Sequence, residues 1–175
     1  MRVIAGRFRS RKLESVPGTA IRPTPDRLRE ALFNVLAPRI AGTVFLDAYA
    51  GTGAVGIEAL SRGARHAILI ERNRQALEVL RDNVRSLGIE NEVTVVRGSA
   101  SVLLPNHPAD IAFIDPPYDQ EPEYADSLAA LSLTHCTVVI AQHSTRLTLE
   151  DQYGTLRKSR VLKQGDNSLS FYERE

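Results

Sequence analysis

The sequence predicts an α/β fold: a mostly parallel, seven-stranded sheet covered by helices and completed by an antiparallel C-terminal hairpin. Short apolar runs alternate with helical segments from residue 42 onward, which is the pattern of right-handed βαβ crossovers and a parallel sheet. Two further runs, 156–163 and 168–172, flank a Gln-Gly-Asp-Asn turn and are typical of a hairpin. Basic and apolar positions alternate over residues 2–13, which predicts a small β-ribbon ahead of the sheet.

The bulk composition is that of a soluble globular protein, with 43% hydrophobic and 25% charged residues among 175. No apolar run is long enough to cross a membrane, and the first residues are too charged for a signal peptide. The single cysteine excludes an internal disulfide, which suits a reducing compartment. We therefore expect a cytoplasmic protein without a membrane partner.

Positive charge is concentrated at the N-terminal end. Residues 1–39 contain nine Lys or Arg and three acidic residues, whereas residues 40–175 contain thirteen and eighteen. A basic head on a mildly acidic body favours a polyanionic partner that docks at the N-terminal end. We therefore expect a basic extension over residues 1–20 and a larger domain over residues 21–175. The predicted contacts to the polyanion are Arg2, Arg7, Arg9, Arg11, Lys12, Arg22 and Arg27.

The elements follow from local patterns along the chain. Thr24 is a typical N-cap residue, Pro25 suits the first helical position and Asp26 favours the start of a helix. Apolar residues then recur at helical spacing, so a helix is predicted over about 25–37. Arg27 and Arg29 lie off its apolar face, where we expect them to reach solvent or a ligand. The five parallel strands are predicted at 44–47, 67–71, 93–96, 111–114 and 136–141, with helices between them.

A glycine-rich turn follows the first strand and predicts a nucleotide site. Gly51-Thr-Gly53-Ala-Val-Gly56 stands between a strand and a helix, where glycines permit a tight turn and close approach of a ligand. Glu71 ends the next strand, 20 residues after Gly51, where an acid can hold ribose hydroxyls. This pattern fits a dinucleotide enzyme as well as a methyltransferase. Asp47 favours the latter, because its carboxylate would repel a pyrophosphate and attract the cationic groups of S-adenosylmethionine.

The fourth strand leads into Asp115-Pro116-Pro117-Tyr118, which predicts a site for an amine on a planar ring. The exocyclic amine of a nucleobase is a poor nucleophile, because its lone pair is conjugated into the ring. The side chain of Asp115 and the carbonyl of Pro116 can accept its two hydrogens and direct the lone pair at a methyl donor. Tyr118 can stack on the base. These four residues are the predicted catalytic set, and they do not by themselves choose guanine over adenine.

Taken together, these motifs resemble the bacterial 16S ribosomal RNA guanine-N2 methyltransferase family, a group of Rossmann-like class I methyltransferases. The resemblance covers nearly the whole chain. Its motifs are Arg2–Gly6, Arg11–Leu13, Arg22–Arg27, Arg29-Glu30, Leu32–Asn34, Asp47–Gly53, Glu58–Gly63 and Asp115–Tyr118. It implies methyl transfer from S-adenosylmethionine to N2 of a guanine, with 16S ribosomal RNA or a small-subunit assembly particle as the partner.

The resemblance also implies roles for individual residues. The basic head would hold RNA, and Asp115 to Tyr118 would hold the target base. Ser99 stands where relatives usually carry Asp or Asn, which moves the expected adenine contact towards the Ala100 amide. The full set of predicted cofactor contacts is Asp47, Tyr49, Gly51, Gly53, Glu71, Arg72, Ser99 and Ala100.

Three other functions fit parts of the sequence. An N6-adenine methyltransferase would share the same motifs, but it needs a target-recognition segment for which no stretch is long enough. A non-catalytic RNA-binding assembly factor would keep the fold without needing intact acceptors and glycines. A nicotinamide oxidoreductase would share only the glycine turn. The four histidines show no metal-ligand spacing, so we expect no metal site.

Overall fold

A computed structural model describes residues 1–18 and 24–175 of the protein, and its elements follow the order that the sequence predicts. The helices are α1 (Asp26–Leu36), α2 (Ala54–Ser61), α3 (Arg74–Leu87), α4 (Ala100–Leu103) and α5 (Pro122–Ser132). The strands are β1 (Val44–Asp47), β2 (His66–Glu71), β3 (Val93–Arg97), β4 (Ile111–Ile114), β5 (Val138–Ser144), β6 (Gln152–Tyr153), β7 (Leu156–Gln164) and β8 (Asn167–Arg174). Arg22, one of the predicted RNA contacts, lies outside the described residues.

All of these strands belong to one sheet with the order β3-β2-β1-β4-β5-β8-β7-β6. The first five in this order are parallel, and β8, β7 and β6 continue the sheet in antiparallel pairs. This confirms the predicted α/β fold with its antiparallel hairpin. The prediction of seven strands is wrong by one, because β6 pairs with β7 through only two residues and is too short to show a strand pattern.

The strand register divides the core between the two faces of the sheet. Phe45, Phe113 and Ile140 belong to one buried cluster, which α1, α2 and α3 cover. Their neighbours along each strand belong to a second cluster, which α5 covers. Side chains alternate between the faces along a strand, so registered residues in adjacent strands share a face. This alternation decides which strand-end residues meet above the sheet.

The N-terminal segment, residues 1–16, packs on α2, and it includes the stretch 2–13 that was predicted as a small β-ribbon. It contains a single antiparallel bridge, between Arg2 and Lys12. The buried carboxylate of Glu58 on α2 accepts hydrogen bonds from the backbone N–H groups of Ile4 (2.9 Å) and Ala5 (3.0 Å). Gly6 has φ +81°, and a Cβ there would lie 1.9 Å from the carbonyl oxygen of Ser61, so only glycine fits.

Arg29 is buried, which corrects the expectation that it faces solvent or a ligand. Its side chain is 0% exposed, whereas Arg27 is exposed. The guanidinium of Arg29 donates to the carbonyl oxygen of Arg2 (2.7 Å) and to Asp26 (3.0 Å). It therefore joins α1 to the N-terminal segment. Helix α1 begins at Asp26 without a side-chain cap, so Thr24 does not have the predicted capping role.

Within residues 1–18 and 24–175, none of the helices combines the length and the apolarity that crossing a membrane requires.

Glu58→Ala should lower the free energy of unfolding by about 2–4 kcal/mol, because the backbone donors of Ile4 and Ala5 lose their buried acceptor. Chemical denaturation followed by circular dichroism measures this change. The matched control is Glu78→Ala, which removes an exposed i,i+4 ion pair on α3 and should cost less than about 0.5 kcal/mol. Equal losses in the two variants would contradict the anchoring role of Glu58.

Candidate active site

A cavity of about 680 Å³ opens at the carboxyl ends of the parallel strands. It lies where β1 and β4 are neighbours in the sheet, which is the point where the strand order reverses and where open α/β sheets bind ligands. Ten of the twelve predicted catalytic and cofactor residues line it: Asp47, Tyr49, Gly51, Glu71, Arg72, Ala100, Asp115, Pro116, Pro117 and Tyr118.

Gly53 and Ser99 are the two predicted residues that do not line the cavity. Gly53 has φ +91° and starts α2, and a Cβ there would press on Ile57 and Leu80 at 3.3 Å. Its role in the structure is therefore to let the loop turn into the helix. Ser99 is exposed, and its Oγ lies 3.4 Å from Ser101 Oγ.

Asp47 is a buried carboxylate at the floor of the cavity. Burial and, after it, the nearby charge of Asp115 raise its pKa to about 8, against backbone hydrogen bonds from Tyr49 and Gly56. One carboxylate oxygen, Oδ1, is buried without a hydrogen-bond partner. A buried acceptor of this kind favours a ligand that brings positive charge or N–H donors.

Asp115 lies on the neighbouring strand end, and it keeps some exposure towards the cavity. Burial raises its pKa to about 7, so protonated and ionised forms coexist near neutral pH. Pro116 is buried behind it, and Tyr118 is 53% exposed at the cavity rim. The Tyr118 hydroxyl donates to Asn167 Oδ1 at 3.2 Å, which joins the motif to the start of β8.

Glu71 holds the glycine turn in place. Its Oε2 accepts from the backbone N–H of Gly51 and its Oε1 accepts from that of Asn73, both at 2.7 Å. Gly51 has φ +56°, and a Cβ there would meet no atom within 4 Å, so the turn leaves open space above it. The carboxylate thus borders the cavity while it also shapes the loop.

The side chains of Tyr49 and Arg72 are both tied to the cavity wall. The Tyr49 hydroxyl lies 2.8 Å from Ser127 Oγ, and burial raises the pKa of Tyr49. Arg72 donates to Glu123 (3.0 Å) and to Gln120 (2.6 Å). These contacts fix the wall beside the glycine turn, and the bond to Gln120 links Arg72 to the loop that follows Tyr118.

The predicted RNA-binding residues of the described ranges are exposed, but none of them lines the cavity. Arg7 pairs with Glu92, and the backbone N–H of Arg7 donates to the carbonyl oxygen of Ser61 at the end of α2. Helix α2 starts at the glycine turn and has eight residues, so the loop that carries Arg7 lies roughly 12 Å along the helix from the cavity. Met1 and Ser15, nearer the ends of the N-terminal segment, do line the cavity.

The polar residues of the cavity that the sequence did not predict include Gln142 on β5 and Asn167 on β8. Gln142 directly follows the apolar run 136–141, so a polar residue at a buried strand end was the available signal. Asn167 had no such signal, because its position depends on how the hairpin joins β5. In the described part of the chain, no group of three or more His, Cys, Asp or Glu side chains could hold a metal ion.

Comparison with known proteins identifies the family. A family model described as Conserved hypothetical protein 95 matches residues 1–173. YlbH of Bacillus subtilis, provisionally assigned as an rRNA methyltransferase, is 32% identical over 189 residues, which cover 99% of each chain. Ribosomal RNA small subunit methyltransferase D of Escherichia coli K12 is 44% identical over 119 residues, 67% of this chain and 60% of that protein.

The solved structure of yhhF from Escherichia coli, provisionally assigned as a methyltransferase, superimposes with a TM-score of 0.88. Its sequence is 32% identical, and the match covers 100% of this chain and 98% of that one. The chain therefore belongs to the Conserved hypothetical protein 95 family, which confirms the membership predicted from its motifs.

Proposed function

We propose that the protein transfers a methyl group from S-adenosylmethionine to the exocyclic N2 of a guanine in 16S ribosomal RNA. One observation carries this proposal: the strand-end carboxylates Asp47 and Asp115 share one cavity, each with a different surrounding. Asp47 would bind a cationic group of the cofactor, and Asp115 would bind the amine of the base. Relatives named as rRNA methyltransferases support RNA as the substrate.

The residues around Asp47 fit S-adenosylmethionine. The unpartnered Oδ1 of Asp47 suits a cationic group, and the space above Gly51 admits close approach of a ligand. Glu71 borders the same part of the cavity and would hold the ribose, and Ala100 would lie beside the adenine. When bound, S-adenosylmethionine supplies a methyl group on a positively charged sulfur. A pyrophosphate would instead bring negative charge to Asp47, which argues against a nicotinamide cofactor.

The residues around Asp115 fit a nucleobase amine. The carboxylate of Asp115 and the carbonyl oxygen of Pro116 would accept hydrogen bonds from the two N–H groups of the amine. The lone pair of the nitrogen would then turn out of the ring plane. After methylation the nitrogen must lose one proton, and a carboxyl group with a pKa near 7 can take it. Tyr118, exposed at the rim, would stack on the base. A base in a duplex must leave its stack to reach this position.

The exposed basic residues of the N-terminal segment and Arg27 would bind RNA phosphates, with Arg22 added from the sequence prediction. Phosphate contacts of this kind position the RNA without reading its bases. The loop that carries Arg7 and Arg9 contacts the end of α2 that is far from the cavity. The proposed RNA path therefore runs over one side of the domain as well as across the cavity mouth. A structured RNA or a small-subunit particle would span this distance.

Asp115→Ala should reduce methyl transfer by at least about 100-fold, because the amine loses one of its two proposed acceptors. Transfer of radiolabel from S-adenosylmethionine to small-subunit rRNA of a strain lacking the protein measures this loss. The affinity for S-adenosylhomocysteine, measured by calorimetry, should stay within about threefold, because Asp47 is untouched. The matched control is Asp119→Ala, an exposed carboxylate on the same loop. Retained transfer in the Asp115 variant would refute its role.

Asp47→Asn should make the ligand-free protein more stable than wild type at pH 8, with little difference near pH 4. The pKa of Asp47 is about 8 in the folded protein against an ordinary 3.8, so the folded state binds the proton more tightly. Stability of the wild type therefore falls as the pH rises from about 4 to 8, and the Asn variant avoids this loss. Thermal unfolding at both pH values measures the difference.

The same Asp47 variant should lose most of the stabilisation that S-adenosylhomocysteine gives to the wild type at pH 8. Asp126→Asn, an exposed change on α5, is the control and should behave as wild type in both measurements. An unchanged ligand response in the Asp47 variant would argue against cofactor binding at this carboxylate.

Arg9→Ala should weaken RNA binding about threefold to tenfold and reduce the slope of log affinity against log salt by about 1, because one phosphate contact is lost. Arg9 is exposed and has no acidic partner among the described residues. Filter binding of small-subunit rRNA over a salt series measures both quantities. Arg160→Ala on β7 is the control, since it removes an exposed arginine from the antiparallel end of the sheet. Equal effects of the two changes would show that only net charge matters.

A further inference from the structure

Two buried acceptors of the cavity have no hydrogen-bond partner. Among residues 1–18 and 24–175, four buried side-chain polar atoms lack one, and two of these belong to residues that line the cavity: Asp47 Oδ1 and Gln142 Oε1. The first is explained by the proposed cofactor. Gln142 is only 4% exposed, and a buried unpaired amide oxygen costs about 1–3 kcal/mol. A ligand that brings a donor would recover this energy.

The strand register places Gln142 beside Asp115. Ile114 on β4 pairs with Ala141 on β5 in a parallel arrangement, so the next residues, Asp115 just after β4 and Gln142 within β5, stand side by side. Adjacent strands lie about 4.8 Å apart, and registered side chains point to the same face. The amide of Gln142 is therefore close enough to the carboxylate of Asp115 for one nucleobase to contact both.

The backbone that carries Gln142 is rigid. The buried hydroxyl of Tyr124 donates to the carbonyl oxygen of Gln142 at 2.7 Å. On its other side β5 pairs with β8, where Gln142 is in register with Leu169. The next residue, His143, contacts Ser170 Oγ through Nε2 at 2.8 Å and packs edge-on against Tyr124. A side chain that starts from a backbone held in this way can meet a ligand with little reorganisation of the strand.

We propose that Gln142 is a specificity-determining residue that reads the N1–H and O6 edge of the target guanine. This inference rests on the proposed methyl transfer to guanine N2. In guanine, the ring position next to the 2-amino group is N1–H, a donor, and the position beyond it is O6, an acceptor. The side-chain amide of Gln142 offers the matching pair, with Oε1 accepting from N1–H and Nε2 donating to O6. In adenine, the N1 next to the amine carries no hydrogen.

The base 2-aminopurine tests this assignment, because it keeps the 2-amino group but has neither the N1–H donor nor the O6 acceptor. An amide that turns over could still donate to its N1, but Oε1 of Gln142 would find no donor there. The methylated guanine is first located by mass mapping. Small-subunit rRNA with guanine or 2-aminopurine at that position is then made by ligation and reconstituted with its proteins. The ratio of kcat/KM for the two particles is the readout.

Wild-type protein should favour the guanine particle by about 10- to 100-fold, the range expected for a two-bond base contact. Gln142→Met, which has a similar length and no polar group, should lose most of the guanine activity and bring the ratio close to 1. Gln142→Glu, which keeps an acceptor at the Oε1 position, should retain most of the preference and serves as the conservative variant. Gln152→Met on β6 is the matched control and should keep the wild-type ratio.

The possible outcomes separate this inference from the function on which it rests. A wild-type ratio retained in Gln142→Met, or lost entirely in Gln142→Glu, would overturn the role of Gln142 and leave the proposed function standing. Wild-type protein that transfers no methyl group to either particle would overturn both. Unchanged affinity for S-adenosylhomocysteine in the Gln142 variants confirms that the cofactor part of the cavity is intact, so that a changed ratio reports base selection.

Discussion

The structure depends on the parallel pairing of β1 with β4, which brings two strand-end carboxylates into one buried cavity. Burial raises the pKa of both carboxyl groups into the neutral range, and the charge of Asp115 adds to the cost of ionising Asp47. Such an arrangement reduces the stability of the ligand-free protein. Backbone donors from Tyr49 and Gly56 offset part of the cost at Asp47. The proposed binding of a cation at Asp47 and an amine at Asp115 would offset the remaining cost.

The N-terminal segment and the glycine turn share their supports. Helix α2 begins at the turn and carries Glu58, which anchors the segment. Asn83 on α3 makes a second link, because its side chain bonds the backbone of Glu14 and also donates to the carbonyl oxygen of Thr52 in the turn. The segment proposed to hold RNA and the loop proposed to hold the cofactor therefore rest on the same two helices. This shared support would keep the two proposed binding sites in a fixed relation to each other.

Local patterns predicted the parallel strands, the glycine turn and the Asp115–Tyr118 motif, because each is encoded by neighbouring residues. Apolar runs indicate buried strands wherever they stand in the fold, and closely spaced glycines indicate turns that need a positive φ. The burial of Arg29 was not predictable in this way. Its helix position suggested an exposed side chain, but the N-terminal segment covers it and supplies a carbonyl acceptor. The strand β6 escaped prediction because two residues show no periodicity.

The amino-acid sequence alone was enough to indicate the fold, the family and ten residues that line the cavity, since these features depend on local spacing and on chemistry at strand ends. The three-dimensional arrangement decided which other residues join them. Gln142 and Asn167 reach the cavity because β5 lies beside β4 and β8 lies beside β5. Gly53 lies at the start of α2, where a Cβ would face Ile57 and Leu80, and Ser99 is exposed, so neither lines the cavity. Contacts between strands distant in sequence are set by packing and register, which neighbouring residues do not encode.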